Sequence, residues 1–366
     1  MIQYEARANR LLELAESQGL DGLALMPGPN LVYLTGMHFH LSERPVLFVA
    51  PVDADPVVIL PELEAGKAKE LGYRTFAYSD TEGYRMAFHE ACVTLQLAEA
   101  RIGIEALRMR FLESSALRRF APDIELVPID DLIAELRAVK SDQELAAMRQ
   151  SIEVAETAFL RWVATLAPGM TEKAAASSLT AELLRGGADG LAFSPIVASG
   201  PNGGLPHAVP GDRRFQMGDW IVVDWGASVD GYASDLTRMI VIGTPSGSLK
   251  KVYDVVLQAN RAGCEAVRPD VEAQAVDTAA RVVITDAGYG PQFVHRTGHG
   301  LGLESHEPPY LVAGNARILE SGMTFTVEPG IYLQGMGGIR IEDDVVMTDH
   351  GGDVLTTLTR EPFVVR

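Results

Sequence analysis

Four carboxylates in the second half of the chain sit within strands of apolar, largely β-branched residues, and that placement constrains the fold more than any other feature. Asp224 follows Ile221, Val222 and Val223; Glu342 follows Ile339, Arg340 and Ile341; Asp235 and Glu328 occupy the facing arms. Each pair brackets a glycine-containing turn, SVDG in one case and QGMGG in the other, so each segment reads as an antiparallel hairpin. Residues equidistant from such a turn lie opposite each other with side chains on one face. Asp224 is therefore expected to oppose Asp235, and Glu328 to oppose Glu342. Buried like charges at that spacing are costly unless they share a proton or bind a cation. One pair fits a shared-proton dyad; two pairs with histidines nearby favour metal.

His207, His295, His299 and His306 fall in glycine- or proline-rich loops beside those hairpins. His299 lies in TGHGLGL, where glycines permit close backbone approach and oppose a regular helix despite the spacing to His295. Oxygen-rich ligation with an imidazole suits manganese or iron(II), with cobalt next, better than a thiolate zinc site. Four acids with one or two histidines can hold two ions about 3.5 to 4 Å apart, which generates and aims a nucleophilic hydroxide. Arg340 shares a strand face with Glu342, either orienting a ligand carboxylate or as an ion-paired strand residue. His38 and His40, in GMHFHLSER, read as a surface loop, since two imidazoles alone are few ligands.

The hairpins close an element order that occurs twice: helix, helix, loop, hairpin. Ser141 and Glu144 have capping-box spacing ahead of the first helix, and Thr171 caps the second. The second round has helices over about Leu249 to Val267 and Val271 to Ala287, the latter with Asp270 as its cap. Upstream, LALM, VLFVA and VVILP, then Arg101 to Glu105 and Ile124 to Val127, read as strands among helices at Leu11 to Ala15 and Leu112 to Phe120. A length of 366 residues suits two domains, placed at 1–138 and 139–366. The class is α/β (α+β), with the second domain built of two related halves.

A net charge of −18 with no basic run excludes a nucleic-acid surface. The longest apolar runs, such as Pro45 to Val52, are strand-sized and exclude a membrane span. The N-terminal stretch reads as an amphipathic helix and not a leader, so a cytoplasmic location is expected. Cys92 and Cys264 have no ligand or disulfide spacing and read as inert thiols.

The segments DWGASVDGYASDLTR, HRTGHGLGLESHEPP, TVEPGIY and GGIRIEDD together resemble the M24-type metallopeptidase family of Xaa-Pro aminopeptidases, prolidases and methionine aminopeptidases. The resemblance covers residue 140 to the end, including KSDQELAAMRQS, and implies the pita-bread fold. Residues 1–138 resemble the creatinase-type N-terminal domain. By that resemblance Asp224 chelates one metal, Asp235 and Glu342 bridge two, and His299 and Glu328 bind the other. It implies two divalent ions, manganese first with cobalt, iron or zinc as alternatives. It also implies that His207 and His306 contact substrate and stabilise charge at the scissile carbonyl, that His295 and Arg340 belong to the pocket, and that the protein is a homodimer.

The resulting expectation is hydrolysis of the bond preceding proline in small peptides, with Glu328 shuttling a proton to the leaving nitrogen. Phe193 and Tyr232 are candidates for the proline-ring pocket, or else core aromatics. One departure bears on substrate length. Archaeal-type prolidases carry a carboxylate-binding arginine where this chain has Tyr310, so either another residue supplies the cation, with Arg44 of a partner subunit as a candidate, or longer peptides are accepted. The alternatives are a metal-dependent enzyme acting on a non-peptide substrate and a non-catalytic metal-binding protein.

Overall fold

The computed structural model describes residues 2–245 and 247–366, and the chain divides into two compact units at Leu136/Arg137. The N-terminal unit starts with α1 (Ile2–Ser17), β1 (Gly22–Leu25), α2 (Pro29–Thr35), β2 (Leu47–Pro51), β3 (Val57–Pro61) and α3 (Ala65–Glu70). It continues through β4 (Arg74–Tyr78), α4 (Arg85–Thr94), β5 (Arg101–Ile104), α5 (Phe111–Phe120), β6 (Glu125–Pro128) and α6 (Asp130–Ala138). The strands form one mixed sheet in the order β4-β3-β2-β1-β5-β6. Val49, Ile59 and Ile102 of that sheet pack with Phe88 and Ala91 of α4 and Leu117 of α5. The strand β4 and helix α4 had no clear sequence signal, since in RTFAY only Phe76 and Tyr78 are buried. His38 and His40 lie exposed in the loop before β2. Arg44 is held on Asp80 through Nε and Nη2, both at 2.8 Å.

The C-terminal unit runs the helix–helix–hairpin order twice. The first round has α7 (Asp142–Val163), α8 (Glu172–Arg185), β7 (Gly190–Leu191), β8 (Ile196–Ser199), β9 (Trp220–Trp225), β10 (Ala227–Val229), β11 (Tyr232–Ala233) and β12 (Leu236–Ile242). The second has α9 (Ser248–Ala266), α10 (Ala273–Asp286), β13 (Gly298–Gly300), β14 (Glu307–Leu311), β15 (Thr324–Val327), β16 (Gly330–Leu333), β17 (Gly337–Arg340) and β18 (Asp343–Thr348). The short strands β19 (Gly351–Val354) and β20 (Phe363–Val365) finish the sheets, whose orders are β20-β12-β9-β8 and β14-β13-β15-β18-β19.

Local chemistry explains the helix starts. The Ser141–Glu144 capping box is formed, and the Thr171 hydroxyl accepts from the Ala174 amide at 3.1 Å. At α10 the expectation fails: the cap is Glu272, and Asp270 instead adopts a left-handed conformation with φ 61°. An Asp tolerates that geometry in a turn. Trp225 stacks on Phe159 of α7 with centroids 4.2 Å apart, and its indole donates to the Ala155 carbonyl at 3.1 Å. That packing fixes the β9 segment carrying Asp224 against the helix layer.

The first hairpin also differs from expectation. Its turn residues are Asp230 and Gly231, both at positive φ (51° and 81°), the two-residue type whose twist matches the strands. Register then places Asp224 opposite Thr237, not opposite Asp235. Asp235 lies in the break between β11 and β12, two residues before Thr237, and so is a diagonal neighbour of Asp224. In the second hairpin Gly330 pairs with Arg340 and Val327 with Asp343, and that continuous register sets Glu328 across from Glu342. A bridge between Thr237 and Glu342 joins the halves.

Candidate metal centre

Three overlapping groups of ligand atoms lie within 4.8 Å of one another: Asp224, Asp235 and Glu342; His299, Glu328 and Glu342; and Asp235, His299 and His306. Asp235, His299 and Glu342 each belong to two of the groups. His299 Nε2 lies 3.2 Å from Glu328 Oε1 and 3.8 Å from Asp235 Oδ2. Its Nδ1 is 3.1 Å from the Gly300 carbonyl. In the ion-free protein Nε2 donates to Glu328; with the proton kept on Nδ1 towards the Gly300 carbonyl, Nε2 would instead present its lone pair to an ion.

The electrostatics show what the cluster demands. Burial, and then the charge of Glu342, push Asp235 well above the ordinary carboxyl range. Burial followed by Glu328 does the same to Glu342, and burial raises Asp224 against the pull of Arg340. Glu328 moves the other way: burial pushes it up, yet its hydrogen bond with His299 and nearby positive charges bring it to about 2. Asp224 Oδ1 is buried with no hydrogen-bond partner, and an orphaned buried acceptor of this kind costs about 1 to 3 kcal/mol. Acids that resist ionisation together, an orphaned carboxylate oxygen and an imidazole facing them are a donor set suited to divalent metal.

Around these residues runs a chain of hydrogen bonds. Arg340 pairs with Asp224, donates from Nε to Thr237 Oγ1 at 3.0 Å, and donates from Nη1 to Tyr332 Oη at 2.7 Å. Tyr332 Oη in turn lies 2.9 Å from His295 Nε2. The Thr237 hydroxyl donates to Glu342 Oε2 at 2.6 Å. Arg340 Nη1 also reaches the Pro206 carbonyl at 3.2 Å, next to His207.

The cluster floors a cavity of about 610 Å³ whose walls include Phe193, His207, His295, Arg296, His306, Tyr332 and Arg340. His207 and His306 are its exposed imidazoles. Burial, then His299 and Arg296, lower His306 to about 4, so it is neutral at neutral pH. Tyr232 does not line the cavity: its hydroxyl donates to Glu144 Oε1 at 2.7 Å, fastening the hairpin to the start of α7. Tyr332, Thr237 and Arg296 were missed in the sequence. Alternation from Glu328 through Gly330 would have pointed to Tyr332; the other two carried no spacing signal.

Two family models match the chain, metallopeptidase family M24 over residues 146–349 and the creatinase/prolidase N-terminal domain over residues 7–139. A protein named Xaa-Pro dipeptidase from Pyrococcus horikoshii is 32% identical over 359 residues, covering 97% of this chain and 98% of that protein. The crystal structure of a prolidase from Thermococcus sibiricus superposes with a TM-score of 0.96 at 36% identity, covering 99% of each chain. That of an X-Pro aminopeptidase from Thermotoga maritima gives 0.86 at 34% identity, covering 98% of this chain and 99% of the other.

Proposed function

The chain belongs to metallopeptidase family M24, and on that premise we propose that it hydrolyses the bond preceding proline in short Xaa-Pro peptides, using two divalent ions. The observation that carries this reading is the convergence of Asp224, Asp235, His299, Glu328 and Glu342 on two overlapping ligand groups at the floor of one cavity. Asp224, Asp235 and Glu342 would hold one ion, and His299, Glu328 and Glu342, with Asp235 close by, would hold the other. Ions held there supply Lewis acidity and a lowered pKa for water.

The protein's own groups handle orientation and protons. Glu328, a carboxylate at neutral pH, takes a proton from water and returns it to the proline nitrogen as the C–N bond breaks. That nitrogen carries no hydrogen of its own, so its protonation is what allows it to leave. Neutral His306, with His207 also in the cavity wall, donates to the oxygen on which charge develops. Arg340 holds Asp224 and, through Tyr332, the His295 ring, so pocket wall and ligand shell move as one. Phe193 offers an apolar surface to the proline ring.

The oxygen-rich donor set favours manganese. A homodimer in the cytoplasm belongs to the same proposal and is checked by sedimentation velocity and cell fractionation. No helix among the described residues is long and apolar enough to cross a membrane. The activity test compares Ala-Pro with Ala-Ala in the presence of Mn²⁺. Release of alanine from Ala-Pro at least about 10-fold faster is expected, a selectivity within reach of pocket shape. No turnover of any Xaa-Pro peptide overturns the reading.

A further inference from the structure

The ring of His306 lies against that of His299, with centroids 3.9 Å apart, and among the described residues no hydrogen bond holds its imidazole. Its place beside the ligand cluster is therefore set by the loop that carries it. That loop, residues 301–306, joins β13 to β14, where Gly300 pairs with Glu307 after a register shift. Glu304 and Glu307 bracket the Ser305–His306 dipeptide, and one guanidinium takes both. Arg137, the first residue of the C-terminal unit, donates from Nη1 to Glu304 Oε2 at 2.7 Å and from Nη2 to Glu307 Oε2. The other oxygen of Glu307 accepts from Lys140 Nζ at 2.8 Å, which also reaches the Ala138 carbonyl at 3.1 Å.

Arg137, Lys140 and Glu307 are buried, and none of the three lines the cavity, so their effect on the reaction runs through the loop. Burial pushes Glu307 towards protonation, but Lys140 and Arg137 outweigh it and hold its carboxyl below the ordinary range. Such a cluster of two cations and two carboxylates is a weak source of stability, because desolvation offsets the attraction. What it supplies is direction, since the guanidinium fork receives carboxylates in a narrow geometry. We propose that Arg137, acting through Glu304 and Glu307 and supported by Lys140, is the positioning residue that holds His306 where it donates to the oxygen gaining charge. This rests on the Xaa-Pro reading above. Because that donation is made in the transition state, a misplaced ring shows in kcat and leaves KM nearly unchanged.

The test measures kcat and KM for Ala-Pro in the Mn²⁺-loaded wild type and in Arg137→Gln, Arg137→Lys, His306→Ala and the Arg137→Gln/His306→Ala double variant. A further variant, Lys140→Met/Glu307→Gln, removes one cation together with one carboxylate and so leaves no uncompensated buried charge. In Arg137→Gln kcat falls about 10- to 100-fold, the cost of a displacement of about 1 Å, while KM stays within about 3-fold. Arg137→Lys, which keeps the charge but not the fork, regains part of that loss. On the His306→Ala background, Arg137→Gln changes kcat by less than about 3-fold, because the group it positions is gone. The charge-balanced variant lowers kcat as Arg137→Gln does. An unchanged kcat in Arg137→Gln, or an equally large fall with and without His306, overturns the assignment and leaves Xaa-Pro hydrolysis standing. Where Arg137→Gln yields no folded protein, the charge-balanced variant decides, and an unchanged kcat there overturns the assignment. Failure of the wild type to hydrolyse Ala-Pro overturns the underlying reading.

Discussion

Asp235 and Glu342 occupy positions where removing a single charge has consequences beyond that side chain. Asp235 sits among Asp224, Glu342 and Glu328, and its backbone amide is fixed by Asp344 Oδ2 at 3.1 Å, so Asp235→Asn keeps the shape and removes a charge from the proposed shared ligand. Partners one shell out from a metal typically cost 10- to 100-fold when removed. Loss of a shared ligand is therefore expected to cost at least about 100-fold in kcat and to lower the bound metal per chain in elemental analysis. Full activity with full metal content would show that the ligand assignment is wrong. Thr237 acts one step back, donating to Glu342 and receiving from Arg340. Thr237→Val preserves volume and is expected to weaken Mn²⁺ binding by about 10- to 100-fold, read by competition with a chelator.

Along the two strands that meet at the Thr237–Glu342 bridge, alternation divides the work between faces. Glu342 lines the cavity with the Thr237 hydroxyl bonded to it, while Arg238 and Asp343 form a fully buried pair at 2.8 Å on the other side. Asp343 also accepts from Arg360 Nε at 2.7 Å, Asn260 Nδ2 at 2.9 Å and the Thr356 hydroxyl at 2.7 Å. Breaking a buried pair leaves an uncompensated charge, so Asp343→Ala is expected to cost about 3 to 5 kcal/mol in denaturant unfolding. A loss below about 1 kcal/mol, the range of exposed pairs, would show that the cluster does not lock the strands. The same elements show what sequence patterning carries. Acids in apolar strands, the Ser141 cap and the second hairpin's register are all local and periodic, so they were legible. The first register was misread because SVDG was centred ahead of Asp230–Gly231, the dipeptide that takes the turn. Tyr232 stayed open between pocket and core because an aromatic beside a ligand looks alike whether it faces the pocket or α7, and the structure turns it to Glu144 of α7. Arg137 meets Glu304 and Glu307 only through the tertiary fold, for which their separation along the chain gives no cue.

At the scale of the molecule, each unit has its own core, and the C-terminal one carries a cluster whose charge state couples metal to stability. In the ion-free protein Asp235 and Glu342 keep protons at pH values where the unfolded chain has released them, about 4. The folded form then binds more protons, so these groups lower stability as pH rises from about 4 towards neutrality. Divalent ions need the deprotonated acids and remove that penalty. Saturating Mn²⁺ is therefore expected to raise the Tm more at about pH 7.5 than at about pH 5; an equal rise at both would contradict the coupling.

The most direct test of the account is a titration of metal-stripped protein with Mn²⁺, following alanine release from Ala-Pro together with bound metal. Two sites of overlapping ligands predict no turnover in the stripped protein and activity that tracks uptake of about two ions per chain. Full Ala-Pro hydrolysis after stripping, or no uptake of Mn²⁺ by the folded protein, would contradict it.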